Sequence, residues 1–170
     1  LGPDGYTPKI EKMGGTSWDA VKERVKKSVR DVAEELVAIY AAREAMERKP
    51  FLPPDRVYEE FCSTFEYEET PDQARAIEDI HADMDDVKPM DRLICGDAGF
   101  GKTEVALRAA FRAAMDGKQT ALLAPTTILT EQHFATFSRR LADFPIRVEA
   151  LNRFRSPAEI KKTLADLLRG

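Results

Sequence analysis

The sequence of 170 residues is poor in cysteine, histidine and tryptophan, with two, two and one of each. Cys62 and Cys95 stand far apart, with no His or Cys at metal-ligand spacing, which argues against a disulfide framework and a zinc site. Long apolar runs are lacking as well. Leu93 to Cys95 and Ala121 to Pro125 fall far short of the ~20 residues that span a bilayer, so no membrane partner is expected. No basic cluster precedes an apolar stretch near Leu1, so no signal peptide is expected, and an intracellular setting is the default. Leucine rather than methionine stands first, which suggests a cut piece. What is present suits a folded domain. Hydrophobic residues make up 43% and charged residues 33%, which excludes a low-complexity or disordered chain.

The net charge of −4 hides a division along the chain. Residues 1–50 carry 10 basic and 9 acidic side chains, residues 51–90 carry 3 and 12, and residues 91–170 carry 13 and 9. The acidic middle reads as a solvated face. The basic C-terminal part leaves room for a nucleic-acid face on an acidic protein.

Residues 1–15, with Gly2, Pro3, Gly5, Pro8, Gly14 and Gly15, read as loop with a short strand around Tyr6 to Met13. Thr16, with Asp19 three residues on, resembles an N-cap. Trp18, Val21, Val25, Val29, Val32, Leu36, Ile39 and Tyr40 then recur at steps of three and four, the stripe of a helix. It is expected to run to Lys49, where Pro50 stops it, and to pack its stripe on the domain that follows. Asp55 to Thr64 reads as a short helix with Val57, Tyr58 and Phe61 inward. Thr70-Pro71-Asp72-Gln73 is a capping box with proline at N1, opening a helix through Ala74, Ile77, Ile80 and Met84. From Met90 onward strands and helices alternate. Strands are expected at Arg92–Cys95, Gln119–Ala124 and Ile146–Leu151, and helices at Lys102–Met115, Ile128–Leu141 and Pro157–Leu168, the last capped by Ser156 with Glu159 at N3. That alternation predicts an α/β fold with a parallel sheet and flanking helices.

Gly96-Asp97-Ala98-Gly99-Phe100-Gly101-Lys102-Thr103 fits the phosphate-loop pattern G-x-x-x-x-G-K-[ST] in full, between a strand and an Ala-rich helix. Glycines let successive N–H groups turn inward around an anion, and the helix N-terminus adds partial positive charge. Lys102 offers a point charge to the outer phosphates, and the Thr103 hydroxyl can ligate Mg²⁺. Asp97 and Phe100 fall at the pattern's free positions. Gln73 has two compatible readings, the N3 residue of its capping box or an amide that reads an adenine edge, with Tyr67 placed to stack on the base. Thr126 and Thr127, after Ala124-Pro125, either cap the next helix or donate to phosphate oxygens at a strand's carboxyl end. Arg139, Arg140, Arg147, Lys161 and Lys162 read as ordinary surface charge. Arg153, in Arg153-Phe154-Arg155 just past a strand, is the best candidate for a backbone-phosphate contact.

Tyr67-x-x-Thr70-x-x-Gln73, the loop Gly96–Thr103 and Ala124-Pro125-Thr126-Thr127 follow the order of motifs Q, I and Ia of superfamily 2 helicases. The string Met90 to Ala106, with Gly14-Gly15-x-x-Trp18, Ile39-Tyr40-Ala41-Ala42-Arg43 and Arg153-Phe154-Arg155-Ser156, resembles the bacterial transcription-repair coupling factors, relatives of the RecG-like helicases. The resemblance covers essentially the whole chain. It implies part of a cytoplasmic, ATP- and Mg²⁺-dependent translocase on double-stranded DNA, with RNA polymerase and excision-repair proteins as partners. Residues 1–15 would end an upstream polymerase-interacting domain, 16–50 form a connector helix, and 51–170 begin a RecA-like lobe. Gly96 to Thr103 would hold the triphosphate, with Lys102 and Thr103 catalytic and Thr103 on the metal. Gln73 and Tyr67 would hold adenine, and Thr126, Thr127 and Arg153 would face DNA backbone. No Asp-Glu box follows the loop, so the chain reads as an incomplete lobe, inactive by itself, with a central strand of its sheet missing. A RecG-like branch-migration lobe and a P-loop interaction module are the alternatives.

Overall fold

The computed structural model describes the backbone of residues 16–170 and side chains from Trp18 onward. The loop and short strand expected before Thr16, and the Thr16 side-chain cap, lie outside the described residues. The backbone falls into two units, Leu1–Met46 and Glu47–Gly170.

In the first unit, helix α1 spans Thr16–Glu44. Its stripe is exposed, with Trp18, Val25, Val29, Val32, Leu36, Ile39 and Tyr40 all open to solvent. The helix stops five residues before the expected Lys49. Ala45 and Met46 still bond back to the helix, but the residues after them bond elsewhere, and a backbone N–H can serve only one ladder. The Arg48 N–H donates to Val87 O (2.7 Å) and the Phe51 N–H to Met84 O (3.0 Å).

The second unit is built around one central helix. Helices α2 (Arg56–Ser63), α3 (Pro71–Asp85), α4 (Lys102–Met115), α5 (Thr127–Arg140) and α6 (Pro157–Arg169) follow in order. Their starts are chemically specified. Asp55 accepts from the Tyr58 N–H at the head of α2, and Thr126 from the Leu129 N–H at the head of α5. Thr70 with Gln73, and Ser156 with Glu159, form complete capping boxes on α3 and α6, each with proline in the first turn.

Helix α4 buries two faces. Leu107 and Phe111 pack with Tyr58 and Phe61 of α2, with Phe137 of α5 and with Leu141. Phe61 and Phe111 stack at 4.1 Å between centroids, and Phe144 meets both edge-on. The other face puts Val105, Ala109 and Ala113 against Ile77, Ile80 and Met84 of α3 and against Phe51. Phe61 and Phe111 are wholly buried, and truncating either to alanine costs about 3–5 kcal/mol. The buried Arg112 joins the same seam, donating to Leu52 O (2.9 Å) and His81 O (3.2 Å) and pairing with Asp85. Beside it, the Tyr58 hydroxyl lies 2.7 Å from His81 Nε2. Burial lowers the affinity of His81 for a proton and raises the Tyr58 phenol and Cys62 thiol above their usual ranges.

The expected parallel sheet is not formed among the described residues. Residues 92–95, 119–124 and 146–151 are neither helical nor paired in ladders. Alternation still sets which side chains turn inward. Ile94 packs toward α3 and α4, and Ile146 and Val148 join the core around Phe111. Leu93 and Leu123 point out and are 84% and 97% exposed. A buried parallel strand needs a neighbouring strand about 4.8 Å away and cover on both faces. These segments are instead held by side chains. Arg92 bridges Asp83 (2.8 Å) and Asp79 (3.1 Å) on α3, and its hydrogen bonds hold the Asp83 carboxyl below the usual carboxylate range. Gln119 donates to Leu167 O (2.8 Å), and Arg147 pairs with Asp166 (2.7 Å), both on α6.

Candidate nucleotide site

The loop 96–101 turns on two glycines with positive φ, Gly99 at 83° and Gly101 at 73°. Gly101 is the N-cap of α4, so no side chain caps the first N–H groups of that helix. This leaves the α4 N-terminus available to an anion, where backbone donors and the helix dipole act together. Lys102 curls over the loop, its Nζ donating to Gly96 O and Asp97 O, each at 2.6 Å. An ammonium held by two carbonyls of the same loop sits over the loop's mouth and can exchange them for phosphate oxygens. Backbone donors, one lysine and the Thr103 hydroxyl suit a polyphosphate. For a metal ion the supply is thinner. Among the described residues no group of three His, Cys, Asp or Glu side chains converges, so Thr103 would ligate Mg²⁺ together with phosphate oxygens.

Gln73 joins motif to loop. Its Oε1 accepts from the Thr70 N–H (2.9 Å), completing the capping box, while its Nε2 donates to Phe100 O (3.0 Å). The fit is close, since a Cβ added at Gly101 would lie 2.2 Å from Gln73 Nε2. The cap is therefore present, and the same amide braces the phosphate loop. Phe100, a free position in the pattern, contributes the carbonyl. Tyr67 is 72% exposed and meets Phe65 edge-on at 5.6 Å. Tyr67 and Thr103 line one cavity of about 150 Å³, together with Phe65, Glu104, Arg139 and Arg140.

The motif Ia residues sit apart from these contacts. Thr126 is the N-cap of α5, its hydroxyl accepting from the Leu129 N–H at 3.3 Å, so the capping reading holds. Arg153 is exposed with its guanidinium over the Phe154 ring. Its turn is fixed by Asn152, which accepts from the Phe154 N–H (2.9 Å) and donates to Glu131 of α5 (2.6 Å).

Arg140 corrects the reading of its cluster as ordinary surface. Its side chain is only 11% exposed and donates to Glu104 (2.8 Å) and to the Thr64 hydroxyl. Glu104, 10% exposed, also accepts from Arg108 (3.0 Å), which pairs in turn with Glu69 (2.7 Å). The step of four between Glu104 and Arg108 marks a helix pair in the sequence. The arrival of Arg140 and Glu69 from other segments has no local signature.

The chain is similar to known proteins over the span that holds the loop. Residues 70–169 match the family model described as DEAD/DEAH box helicase. The chain is 49% identical over its full length to the transcription-repair-coupling factor of Bacillus subtilis (strain 168), and 50% identical over 163 residues to that of Myxococcus xanthus. It spans 14% of the length of each. A solved structure described as RecG bound to a three-way DNA junction superimposes with a TM-score of 0.71 and 35% identity, covering 78% of this chain and 18% of that one. The phosphate loop, the capped glutamine that braces it and the threonine-capped helix α5 all lie inside the matched span, and the chain belongs to the DEAD/DEAH box helicase family.

Proposed function

We propose that this chain is the nucleotide-binding part of a longer ATP-dependent translocase on double-stranded DNA. In this reading the motor acts on stalled RNA polymerase and couples transcription to excision repair in the cytoplasm. The supporting observation is the conformation of residues 96–103, a positive-φ glycine loop opening an uncapped helix with Lys102 folded over it. Identity of about half to the transcription-repair-coupling factors, against 35% to the RecG structure, favours the coupling role over branch migration. Residues 1–15 end an upstream domain, 16–50 form the connector and 51–170 begin a RecA-like lobe.

Within that lobe Gly96 to Thr103 cradle the triphosphate, Lys102 neutralises its outer oxygens, and Tyr67 and Gln73 take the adenine. Thr126, Thr127 and Arg153 meet the DNA backbone. Bound Mg²⁺ would supply charge neutralisation on the phosphates. Phosphoryl transfer also needs a positioned water and transition-state charge stabilisation. No Asp-Glu pair follows Thr103 to help with either. The 170-residue chain alone is therefore expected to bind ATP weakly and not to turn it over. Steady-state hydrolysis by this chain, lost on Lys102→Ala, would contradict its expected inactivity. The positive test is in the full-length protein, where DNA should stimulate ATPase and ATP should drive stalled polymerase off its template.

Helix α1 provides a second test. A rod of ~1.5 Å per residue transmits position better than a flexible coil, which sets only an average distance. Val32→Pro removes a mid-helix hydrogen bond at a cost of about 3 kcal/mol and kinks the rod. DNA-dependent ATPase should persist in that variant of the full-length protein, while displacement of stalled polymerase falls severalfold. Undiminished displacement would reduce α1 to a tether.

A further inference from the structure

Motif Q and the phosphate loop are carried by separate segments, and three side chains outside both motifs hold those segments together. Residues 64–70 form a loop between α2 and α3, with no helix of their own. Such a loop holds one shape only if something outside it does the holding. Phe65 lies at its centre. The guanidiniums of Arg108 and Arg140 both lie over the Phe65 ring, at 5.6 and 5.7 Å from its centroid, within range of cation–π attraction. Phe65 in turn carries Tyr67 edge-on. The two arginines also hold the ends of the loop by hydrogen bonds, Arg140 at Thr64 and Arg108 at Glu69. Glu104, the residue after Thr103, lies between them and takes both guanidiniums on one oxygen.

The two guanidiniums are largely desolvated, while Thr64 and Glu69 at the loop's ends stay open to solvent. Arg108 is 4% exposed, and both Arg108 Nη2 and Arg140 Nε are buried without a hydrogen-bond partner. Two cations with unmet donors are held in this way at a cost, because buried charges gain little net stability even when paired. Well-packed apolar side chains would fill the same space. What they could not do is bond Thr64, Glu69 and Glu104 at fixed angles, which the planar guanidinium does.

We propose that Arg140, acting through Glu104 and Thr64, is a positioning residue for base recognition: it fixes the Phe65–Tyr67 platform relative to the phosphate loop. Arg140 comes from α5, so the base platform is set by a helix that contributes nothing to motif Q or to the phosphate loop. This inference rests on the reading that Tyr67 and Gln73 take the adenine.

The test is steady-state kinetics of the full-length protein with ATP and with GTP. Arg140→Met keeps the bulk of the side chain and removes its donors. It should raise KM for ATP about fivefold, leave kcat within about twofold, and shrink the ATP over GTP preference in kcat/KM by about fivefold. Thr64→Val keeps shape and charge while losing the hydroxyl. It should move the preference in the same direction by about twofold, and it decides the matter if Arg140→Met does not fold. Tyr67→Ala combined with Arg140→Met should lose no more preference than Tyr67→Ala alone, since both act on one platform. A lowered melting temperature with the preference intact in Arg140→Met and Thr64→Val would make the network mere packing and overturn the inference. Wild type without any preference for ATP would overturn the adenine reading and this inference together. A preference erased by Tyr67→Ala but untouched by Arg140→Met would overturn the inference alone.

Discussion

Lys102→Ala in the full-length protein is expected to abolish ATP-driven movement and to leave the fold intact. The side chain is exposed, and its bonds go to two carbonyls of its own loop, Gly96 O and Asp97 O. Both carbonyls stand on an exposed loop where water can replace the ammonium. Little stability is therefore at stake, within about 0.5 kcal/mol for a surface change of this kind. The catalytic loss is of another size. A cation aimed at charge that develops in phosphoryl transfer is a transition-state contact, and removing one such donor costs about 10²–10³ in kcat. DNA-stimulated ATPase should fall by that factor while the thermal melt stays put. Unchanged hydrolysis would remove Lys102 from the chemistry, and a collapsed melt would make it a structural residue.

Gly101→Ala should weaken nucleotide binding by about tenfold or more, for two separable reasons. A φ of 73° is strained for any residue with a Cβ, by about 1–2 kcal/mol. The new methyl would also meet Gln73 Nε2 at 2.2 Å, and Gln73 is anchored at both ends of its amide. It must release either Phe100 O or the Thr70 N–H. The first unbraces the phosphate loop, and the second opens the capping box of α3. Gly99→Ala is the control, because φ is 83° there but nothing lies within 4 Å of the added Cβ. It should show the backbone cost alone. Gln73→Ala should cost less affinity in the Gly101→Ala background than in wild type, a non-additivity expected of side chains in contact. Equal effects of Gly99→Ala and Gly101→Ala on nucleotide affinity would show that the Gln73 contact has no part in shaping the loop.

Both predictions start from features legible in the chain as written. The phosphate loop is a contiguous string whose glycines and lysine carry their own geometric meaning. The capping boxes at Thr70 and Ser156 were legible because a cap is made by residues three apart, and local chemistry alone closes it. The bounds of α4, Lys102 and Met115, were legible from the phosphate-loop string that opens it and the Ala-rich run that follows. The C-terminal end of α1 was not. Pro50 marks the last possible stop, but the helix ends at Glu44, and nearby residues give their N–H groups to Val87 and Met84, more than thirty positions away.

By itself, then, the sequence determined which residues could cradle a phosphate and, to within a residue, where each helix of the second unit begins. These depend on neighbours within a turn or two. Tertiary structure alone decided three further things. The segments at 92–95, 119–124 and 146–151 find side-chain anchors on α3 and α6 and no ladder among the described residues, since a strand is defined by its partner. Gln73 serves the loop as well as its own helix, because α3 and α4 bury a shared apolar seam that brings their N-termini together. Arg140 is buried rather than solvated because α5 packs Phe137 into the Phe61–Phe111 core and carries the arginine in beside it, where Glu104 and Thr64 receive its donors. Burial and charge pairing between distant segments are set by packing, and no spacing along the chain encodes them.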